Sequence, residues 1–493
     1  MTSERPNILI IMADQLTAAL TGAYGHPVVK TPALDRLCAE GVRFDAAYTN
    51  CPLCAPARAA MLTGRYASRT RTYDNASALP DDAPTFAHHL RAAGYEVVAS
   101  GKMHMIGADQ LHGFERRFTT DIYPASFAWT PSWREYEMQG IPKDKRNLAD
   151  AADVCDWNTH LTYDTETQFR ALEFLRQRGR QAKSADWRPF CLVVSYTHPH
   201  PPYLVAREWW DLYEAAPIDT PAVPERPLSA CTQMDRWLYD YEGIPPEIMR
   251  DAETMRRMRR AYYGMVSYVD SLVGELLDTL EAMELREETA VVFASDHGDM
   301  LGERGLVEKR CFYEWSVRVP LIARFPGRWM RGAVRSELVS LIDLCPTLID
   351  LAGAAPPAYA DGRSLLPLLE GRVEDDPDAL LLAEYLGEGV AGCSFMARRG
   401  ANKLTLVHGH ESQLFNLEND PLETNNLAGW PEWQEVEESL RTEIEKRFDA
   451  DRIDADVRRS QEERILIRDA MAQGRKTSWD YQPFFDAVSS YIR

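Results

Sequence analysis

Two short polar segments that each follow an apolar run contain residue types that bind divalent cations. Asp14-Gln15 follows the run 7–13, and Ser295-Asp296-His297 follows the run 290–294. If both runs are parallel strands, their carboxyl ends meet at one edge of a sheet and bring carboxylate, amide and imidazole groups together. Oxygen-rich sites of this kind favour Ca²⁺, Mg²⁺ or Mn²⁺. A helix cap is a sufficient alternative for either aspartate alone, but it does not account for both together with His297.

A second segment that could take part in chemistry is Cys54-Ala55-Pro56-Ala57-Arg58. Proline is favoured in the first turn of a helix, so we expect Cys54 to lie at a helix N-terminus. The free N–H groups there favour developing negative charge on the residue that begins the helix. For the five residues taken alone, a helix start with an unmodified buried thiol remains the alternative.

Cationic side chains follow two further apolar runs. Lys102 and His104 come after the run 95–100, while His198 and His200 come after the run 189–196. Any one of them is more often a solvated or structurally bonded side chain. Gathered at one sheet edge, however, they indicate a functional site.

The composition excludes several other classes of protein. The 493 residues contain 55 Lys and Arg against 75 Asp and Glu, a net charge of −20, which argues against binding to nucleic acid or to an anionic membrane. The sequence shows no secretion signal and no apolar run of the roughly 18 residues that span a membrane. Nine scattered cysteines do not form a disulfide framework. We therefore expect a cytoplasmic protein with reduced thiols.

The segment 54–58 matches the Cys-x-Pro-x-Arg pattern of the type I sulfatases in the alkaline phosphatase superfamily, and the chain resembles that family over most of its length. The resemblance extends to Gly101-Lys102-Met103-His104, to His200-Pro201, to Lys309 and to the segment 414–427. Asp-Gln and Asp-His at the two metal positions are similar to the branch that contains choline sulfatases and phosphonate monoester hydrolases. The segments 73–77 and 479–483 resemble choline sulfatases in particular.

The resemblance implies a cofactor and a set of roles for individual residues. A formylglycine-generating enzyme would convert Cys54 to formylglycine, and one divalent metal ion would bind, with Ca²⁺ expected first and Mn²⁺ or Mg²⁺ as alternatives. The implied metal ligands are Asp14, Gln15, residue 54, Asp296 and His297. The implied catalytic residues are Cys54, Arg58, Lys102, His104, His200 and Lys309, with His200 preferred to His198.

The implied substrate is a small-molecule sulfate ester. Its expected contacts are Asn75, Lys102, His200 and Lys309. Trp129 would form an aromatic wall for a quaternary ammonium group, with Glu384, Glu388 and Asp480 as candidate counter-charges. Packing in the core is the alternative for Trp129. The alcohol therefore stays open between choline, an aryl group and another alkyl group.

The implied reaction is hydrolysis of a sulfate ester to alcohol and sulfate. The hydrated aldehyde at residue 54 attacks sulfur while His200 or Lys309 protonates the leaving oxygen, and His104 then removes a proton so that sulfate is released. Two other functions remain open. One is a phosphonate monoester or phosphodiester hydrolase that uses the same nucleophile, and the other is a metal-binding pseudoenzyme in which Cys54 is never oxidised.

The elements that must position these residues alternate between strand and helix. Apolar runs at 7–13, 95–100, 189–196, 290–295 and 320–324, with helices such as 251–283 and 342–351 between them, predict an α/β fold with a mainly parallel sheet covered by helices on both faces. By resemblance, the sheet is large, mixed and alkaline phosphatase-like. Closely spaced runs at 380–385, 393–398, 403–407 and 413–417 predict a smaller C-terminal antiparallel sheet.

These patterns divide the chain into three predicted parts. Residues 1–375 form a catalytic domain, residues 376–450 form a smaller α+β region, and residues 451–493 form a helix and an aromatic tail. The tail contains Trp479, Tyr481, Phe484 and Phe485. Such an apolar cluster is expected to pack across a subunit interface, which predicts a homo-oligomer.

Overall fold

The computed structural model describes residues 5–139, 148–149, 151–181, 187–373, 376 and 378–474. Its central feature is an eight-stranded sheet with the spatial order β8-β2-β7-β6-β1-β5-β3-β4. In chain order, strands β1 to β8 are Asn7–Ala13, Val42–Phe44, Glu96–Gly101, Arg116–Arg117, Phe190–Ser195, Thr289–Ser295, Leu321–Arg324 and Ala333–Arg335.

The sheet is mixed but mainly parallel, as the sequence predicts. β1 lies between β5 and β6 and is parallel to both. β7 is antiparallel to its two neighbours, β6 and β2. The five predicted strands agree with the observed bounds to within one residue at each end.

Helices cover both faces of this sheet. Alternate side chains of β1 enter different cores, because successive residues of a strand point to opposite faces. Leu9 and Ile11 pack with residues of the helices Pro32–Glu40, Thr159–Gln181 and Ala252–Ala282. On the other face, side chains of β1 pack with the helices Cys54–Thr63, Phe86–Ala92 and Leu344–Leu351. The predicted sandwich of helices around the sheet is confirmed.

A second sheet follows in the C-terminal part of the described chain. It is an antiparallel meander of the strands Leu380–Tyr385, Ser394–Arg399, Asn402–Val407 and Gln413–Asn416. The helix Gln434–Arg447 packs on it through Leu440 and Ile444, and the helix Ala450–Met471 follows. The predicted antiparallel sheet is confirmed, whereas the division at residues 375 and 450 stays a prediction. The aromatic tail lies outside the described residues.

Short elements complete the described structure. Ala47–Tyr48 pairs with Val339–Ser340, and Asp153–Val154 pairs with Leu204–Val205. The remaining α-helices are Ala67–Thr70, Trp133–Gln139, Arg207–Asp211, Gln233–Glu242, Pro246–Arg250, Glu314–Val317 and Leu366–Leu369. Among the residues described, no helix combines the length and the apolar character required to cross a membrane.

Candidate active site

The carboxyl ends of four neighbouring strands bring the predicted polar residues to one edge of the large sheet. Met12 of β1 and Gly101 of β3 both pair with Ser195 at the end of β5, while Ala13 pairs with Ser295 at the end of β6. The strands therefore end level with one another. The side chains that follow them are all buried, and they belong to Asp14, Lys102, His198, His200, Asp296 and His297.

Asp14, Cys54, Asp296 and His297 form a compact cluster whose potential ligand atoms all lie within 4.8 Å of one another. The Cys54 sulfur is 3.2 Å from Nε2 of His297 and 3.8 Å from Oδ1 of Asp14. Nδ1 of His297 lies 3.1 Å from the carbonyl oxygen of Gly298. An Nδ1–H donated to that oxygen leaves the Nε2 lone pair directed at the cluster, the usual arrangement of a metal-binding histidine. The donor set fits a divalent cation.

The electrostatics of the two aspartates support a bound cation. Burial and the neighbouring Asp296 raise the pKa of Asp14 well above its usual value. Burial also opposes ionisation of Asp296, but His297 and Arg58 outweigh it and hold the pKa of that carboxyl below its usual value. Two buried carboxylates close together favour a positive charge between them.

Cys54 is the first residue of the helix Cys54–Thr63, as the proline two residues later predicts. Leu53 precedes it and has no polar side chain to cap the helix, but Oδ1 of Asn75 accepts a hydrogen bond of 3.0 Å from the Ala55 N–H. Burial by itself raises the pKa of the Cys54 thiol. Lys102, Lys309 and His297 outweigh burial and bring that pKa well below its usual value. The site therefore stabilises an anion at position 54.

Arg58 lies one helical turn after Cys54 and connects the helix to three strand ends. Its Nε donates to Oδ2 of Asp296 at 2.9 Å, and Nη1 donates to the carbonyl oxygen of Lys102 at 2.6 Å and to Oγ of Ser195 at 2.8 Å. Because both Arg58 and Asp296 are fully buried, this ion pair fixes the helix N-terminus relative to the aspartate cluster.

Two lysines supply the positive charge of the site. Lys102 donates to Oδ2 of Asp14, and its ammonium lies 4.2 Å from the centre of the Tyr123 ring. Lys309 donates to Oε1 of Gln15, and its Nζ is 2.9 Å from Nε2 of His200. Both lysines are buried, so little water screens their attraction for an anion.

His200 is held as a neutral imidazole. Its Nδ1 lies 2.7 Å from the carbonyl oxygen of Pro201, which places the ring proton there and leaves Nε2 to accept from Lys309. Burial and the positive charge of Lys309 lower the pKa of His200 to about 3. Lys309 is therefore the hydrogen-bond donor of this pair.

His104 occupies a tight loop after β3. The loop has positive φ at His104, 57°, and one carboxylate oxygen of Asp121 accepts from the backbone N–H groups of residues 103, 104 and 105. Burial lowers the pKa of His104, an effect that the adjacent Cys54 partly opposes. A neutral imidazole beside residue 54 is suited to accept a proton from it.

Trp129 lies beside His104 at the edge of the site. It ends the short turn Phe127–Trp129 and is only partly buried. Its ring is 6.2 Å from that of His104, at an angle of 85°, and 5.4 Å from that of Tyr123. The structure therefore places this tryptophan near the predicted catalytic residues, not within the sheet core.

Asn75 and Gln15 have polar neighbours that connect them to the cluster. Besides holding the Ala55 N–H, Asn75 donates from Nδ2 to Oε1 of Glu388 at 3.0 Å. Gln15 donates from its backbone N–H to Oδ1 of Asp296 and from Nε2 to Oδ2 of Asp299, at 3.0 and 2.7 Å. Their predicted roles in substrate and metal binding stay predictions.

Three buried aspartates that position the site were not identified from the sequence. Asp121 holds the His104 loop. Asp164 accepts from Nδ1 of His198 at 2.7 Å and from the backbone of Thr197 and His198. Asp299 accepts from Tyr203 and Gln15, and burial raises its pKa to about 6. Only Asp299 has a sequence signal, since it stands two residues after His297 in the same polar segment.

Comparisons with known proteins agree with this geometry. The sulfatase family model matches residues 6–354, the model of the N-sulphoglucosamine sulphohydrolase C-terminal region matches 302–450, and that of the choline sulfatase C-terminus matches 455–493. A choline-sulfatase of Rhizobium meliloti is 41% identical, with the alignment covering 100% of this chain and 96% of the relative. An arylsulfatase of Clostridium perfringens is 28% identical over 89% of this chain and 93% of its own.

Solved structures show the same fold. One protein, in complex with its substrate D-glucosamine-2-N,6-O-disulfate, superposes with a TM-score of 0.72 at 25% identity, covering 91% of this chain and 99% of the other. The phosphonate monoester hydrolase of Agrobacterium radiobacter has a TM-score of 0.70 at 25% identity, with 90% and 95% covered. This chain belongs to the sulfatase family, and within the alkaline phosphatase superfamily it is a hydrolase that cleaves sulfate esters.

Proposed function

We propose that this sulfatase hydrolyses the sulfate ester of a small quaternary-ammonium alcohol, represented by choline sulfate, and that formylglycine formed from Cys54 is its nucleophile. The observation that carries the choice of alcohol is the partly exposed ring of Trp129, which lies next to His104 and packs against the buried ring of Tyr123. Aromatic faces attract quaternary ammonium groups more strongly than they attract neutral alcohols. The relative that is 41% identical is a choline-sulfatase, which supports the same substrate class.

The position of residue 54 supports its role as nucleophile. Once oxidised by a formylglycine-generating enzyme, the residue would supply an oxygen nucleophile as its hydrated aldehyde. The chain's own contribution is to stabilise negative charge there, through the helix N-terminus and through Lys102 and Lys309. Arg58 keeps the helix start against the aspartate cluster.

The proposed metal ion is Ca²⁺, with Mn²⁺ or Mg²⁺ as alternatives. Asp14, Asp296, His297 and residue 54 would hold it, because their ligand atoms converge, and Gln15 stands beside them. A bound divalent ion would neutralise negative charge and favour the ionised form of an oxygen ligand. Two carboxylates and a neighbouring amide suit Ca²⁺ or Mg²⁺ better than a thiolate-preferring metal.

The hydrogen bonds support a proposal for the proton transfers. Lys309 would protonate the leaving alcohol, because its neighbour His200 is neutral and accepts from it. His104 would accept the proton of residue 54 on the other side of the site. Lys102 would hold the anion's oxygens. Asn75, through its bond to Ala55, would set the distance between the substrate and residue 54.

A second candidate function is hydrolysis of phosphonate monoesters at the same site. It is favoured by the structural likeness to the phosphonate monoester hydrolase at 25% identity. Sulfate monoesters and phosphonate monoesters each carry one negative charge at the reacting group, so the same cationic side chains would serve both.

The deciding experiment compares kcat/KM for choline sulfate, 4-nitrophenyl sulfate and a phenyl phosphonate monoester, on protein whose mass shows one sulfur and two hydrogens replaced by one oxygen. Cys54→Ala is the control for contaminating hydrolases. We expect choline sulfate to lead by more than tenfold. A lead for the aryl sulfate would overturn the choice of alcohol, and a lead for the phosphonate would establish the second candidate. No turnover of any ester despite complete conversion would contradict the nucleophile assignment.

We further propose that the chain divides into units at about residues 375 and 450, and that residues 475–493 join protomers of a homo-oligomer. Support comes from the separate C-terminal sheet and from the aromatic composition of the tail. The native mass of a chain ending at residue 474 tests the second point. A mass that matches the full-length oligomer would overturn it.

A further inference from the structure

The helix Ala450–Met471 contacts the two segments that carry Asn75 and Trp129. We use the word opening for the part of the proposed substrate site between these two residues. Arg458, Gln461 and Arg464 stand three residues apart, so they share one face of this helix. Arg458 lies over the ring of Trp133 at 5.6 Å, and Oε1 of Gln461 accepts from the backbone N–H of Trp133 at 2.8 Å. This face of the helix therefore packs against the segment that carries Trp129.

Arg464 makes the most extensive contacts of the three. Nη1 and Nη2 donate to the two carboxylate oxygens of Asp74, both at 2.7 Å, in a bidentate ion pair. Nη1 also donates to Oγ1 of Thr130 at 3.3 Å, and Nε donates to the carbonyl oxygen of Ser460 at 3.1 Å. Since Arg464 is only 6% exposed, this geometry is shielded from water.

Both partners of Arg464 stand next to residues of the proposed substrate site. Asp74 precedes Asn75, whose Oδ1 accepts from the N–H that follows Cys54. Thr130 follows Trp129 and closes its turn, because Oγ1 and the backbone N–H both donate to the carbonyl oxygen of Phe127. One guanidinium therefore fixes the distance between the nucleophile side of the opening and its aromatic side.

We propose that Arg464, on the helix Ala450–Met471, is a positioning residue for substrate binding, because it holds Asp74 and Thr130 together. We call these contacts of Arg464 the clamp. The inference rests on the proposed function for the identity of the alcohol. The existence of the clamp does not depend on the proposed function. Loss of the clamp separates Trp129 from the Asn75 segment while the buried aspartate cluster keeps its own contacts, so binding of the alcohol suffers more than the chemical step.

The test compares Arg464→Met and Arg464→Lys with Arg459→Met at equal formylglycine content. Arg459 is on the same helix but largely exposed, with Asp456 as its partner at 3.4 Å, so it is the matched control. We expect Arg464→Met to raise the KM for choline sulfate about tenfold with kcat changed less than about threefold, which is the usual scale for losing charged hydrogen bonds. Lysine, which cannot bind in a bidentate manner, should restore part of the loss.

Amide hydrogen exchange of residues 72–78 and 127–133 provides a readout that is independent of turnover. Exchange should accelerate in both segments of Arg464→Met and in neither segment of Arg459→Met. Thr130→Val, which keeps the ion pair, should affect only 127–133 and covers the case in which Arg464→Met does not fold. An unchanged KM, unchanged exchange or an equal effect of Arg459→Met would overturn the proposal. A wild-type protein without sulfate ester turnover would instead refute the proposed function, and exchange would then decide on the clamp.

Discussion

The aspartate and lysine cluster at the sheet edge and the segments around its opening are built in different ways. Within the cluster, the side chains of Asp14, Lys102, Asp296 and His297 follow the ends of strands of one sheet, and Cys54 begins a helix. Around the opening, Asn75 and Trp129 belong to loops that no sheet pairing aligns. Arg464 of the helix Ala450–Met471 connects their neighbours, and it is 334 positions from Thr130 and 390 positions from Asp74.

This difference separates the chemistry of the site from its selection of an alcohol. The buried charges of the cluster constrain one another, so a change of alcohol requires no change among them. The opening depends on side-chain contacts between distant segments, which can be altered while the sheet is retained. We therefore expect substitutions in the cluster to abolish turnover of every ester and substitutions around the opening to change the preference among esters.

Cys54→Ala should have the largest effect, because it removes the atom from which the nucleophile is made. We expect kcat/KM to fall on the order of 10⁴-fold or more for every ester, as for other deleted nucleophiles. The matched control is Cys51→Ala, since Cys51 is also fully buried and stands three residues earlier. Retention of activity in Cys54→Ala, or an equal loss in Cys51→Ala, would contradict the assignment.

Asp296→Asn should have the next largest effect, because it removes a charge that faces both the metal position and Arg58. Loss of a residue that only orients a metal ligand lowers metal affinity or activity roughly 10–100-fold, and we expect kcat/KM to fall by at least this much. Metal content measured by elemental analysis should fall with it. Asp270→Asn is the control, because Asp270 is buried but bonds the N–H groups of Ala33 and Leu34. Full metal content in Asp296→Asn would argue against this metal site.

The same contrast explains how much the sequence could predict. Asp14, Asp296 and His297 were predictable because a strand end fixes the position of the residue after it, and Cys54 was predictable because a proline in the first turn locates a helix start. Asp121 and Asp164 were not, since each acts by accepting backbone N–H groups of a distant loop, which leaves no pattern in its own segment. For Trp129 the sequence allowed a wall or core packing, and only the contacts with His104 locate it at the site.

Trp129→Ala should distinguish the opening from the cluster by changing selectivity. If its ring holds a quaternary ammonium group, its loss removes about 1–2 kcal/mol of cation–π attraction, equivalent to about 5–30-fold in the KM for choline sulfate. The KM for a neutral alkyl sulfate should change much less. Trp430→Ala, at a half-exposed tryptophan, serves as the control. Equal losses for both esters would mean that Trp129 only supports the loop.

Substitution of Glu384 should have the smallest effect, and this effect is on stability. Glu384 shows how burial changes the pKa of a carboxyl group that lacks the lysines of the cluster. Its Oε1 accepts from the Ser68 N–H at 2.8 Å, and within the described part of the chain Oε2 has no hydrogen-bond partner. Burial raises the pKa of this carboxyl to about 7. Because the folded state then holds a proton that the unfolded state has released, the contribution of Glu384 to the free energy of unfolding is greatest at low pH. It is lost as the pH rises toward 7.

Glu384→Gln removes this titration. Between pH 5 and pH 7.5, the free energy of unfolding of the wild type should therefore fall by about 1–2 kcal/mol more than that of the variant, as measured by urea unfolding. The exposed Glu432→Gln should leave that difference unchanged. Identical pH dependence in wild type and Glu384→Gln would show that Glu384 is as well compensated as Asp296. The cluster would then not differ from Glu384 in how buried charge is compensated, because partners would offset the cost of burial in both places.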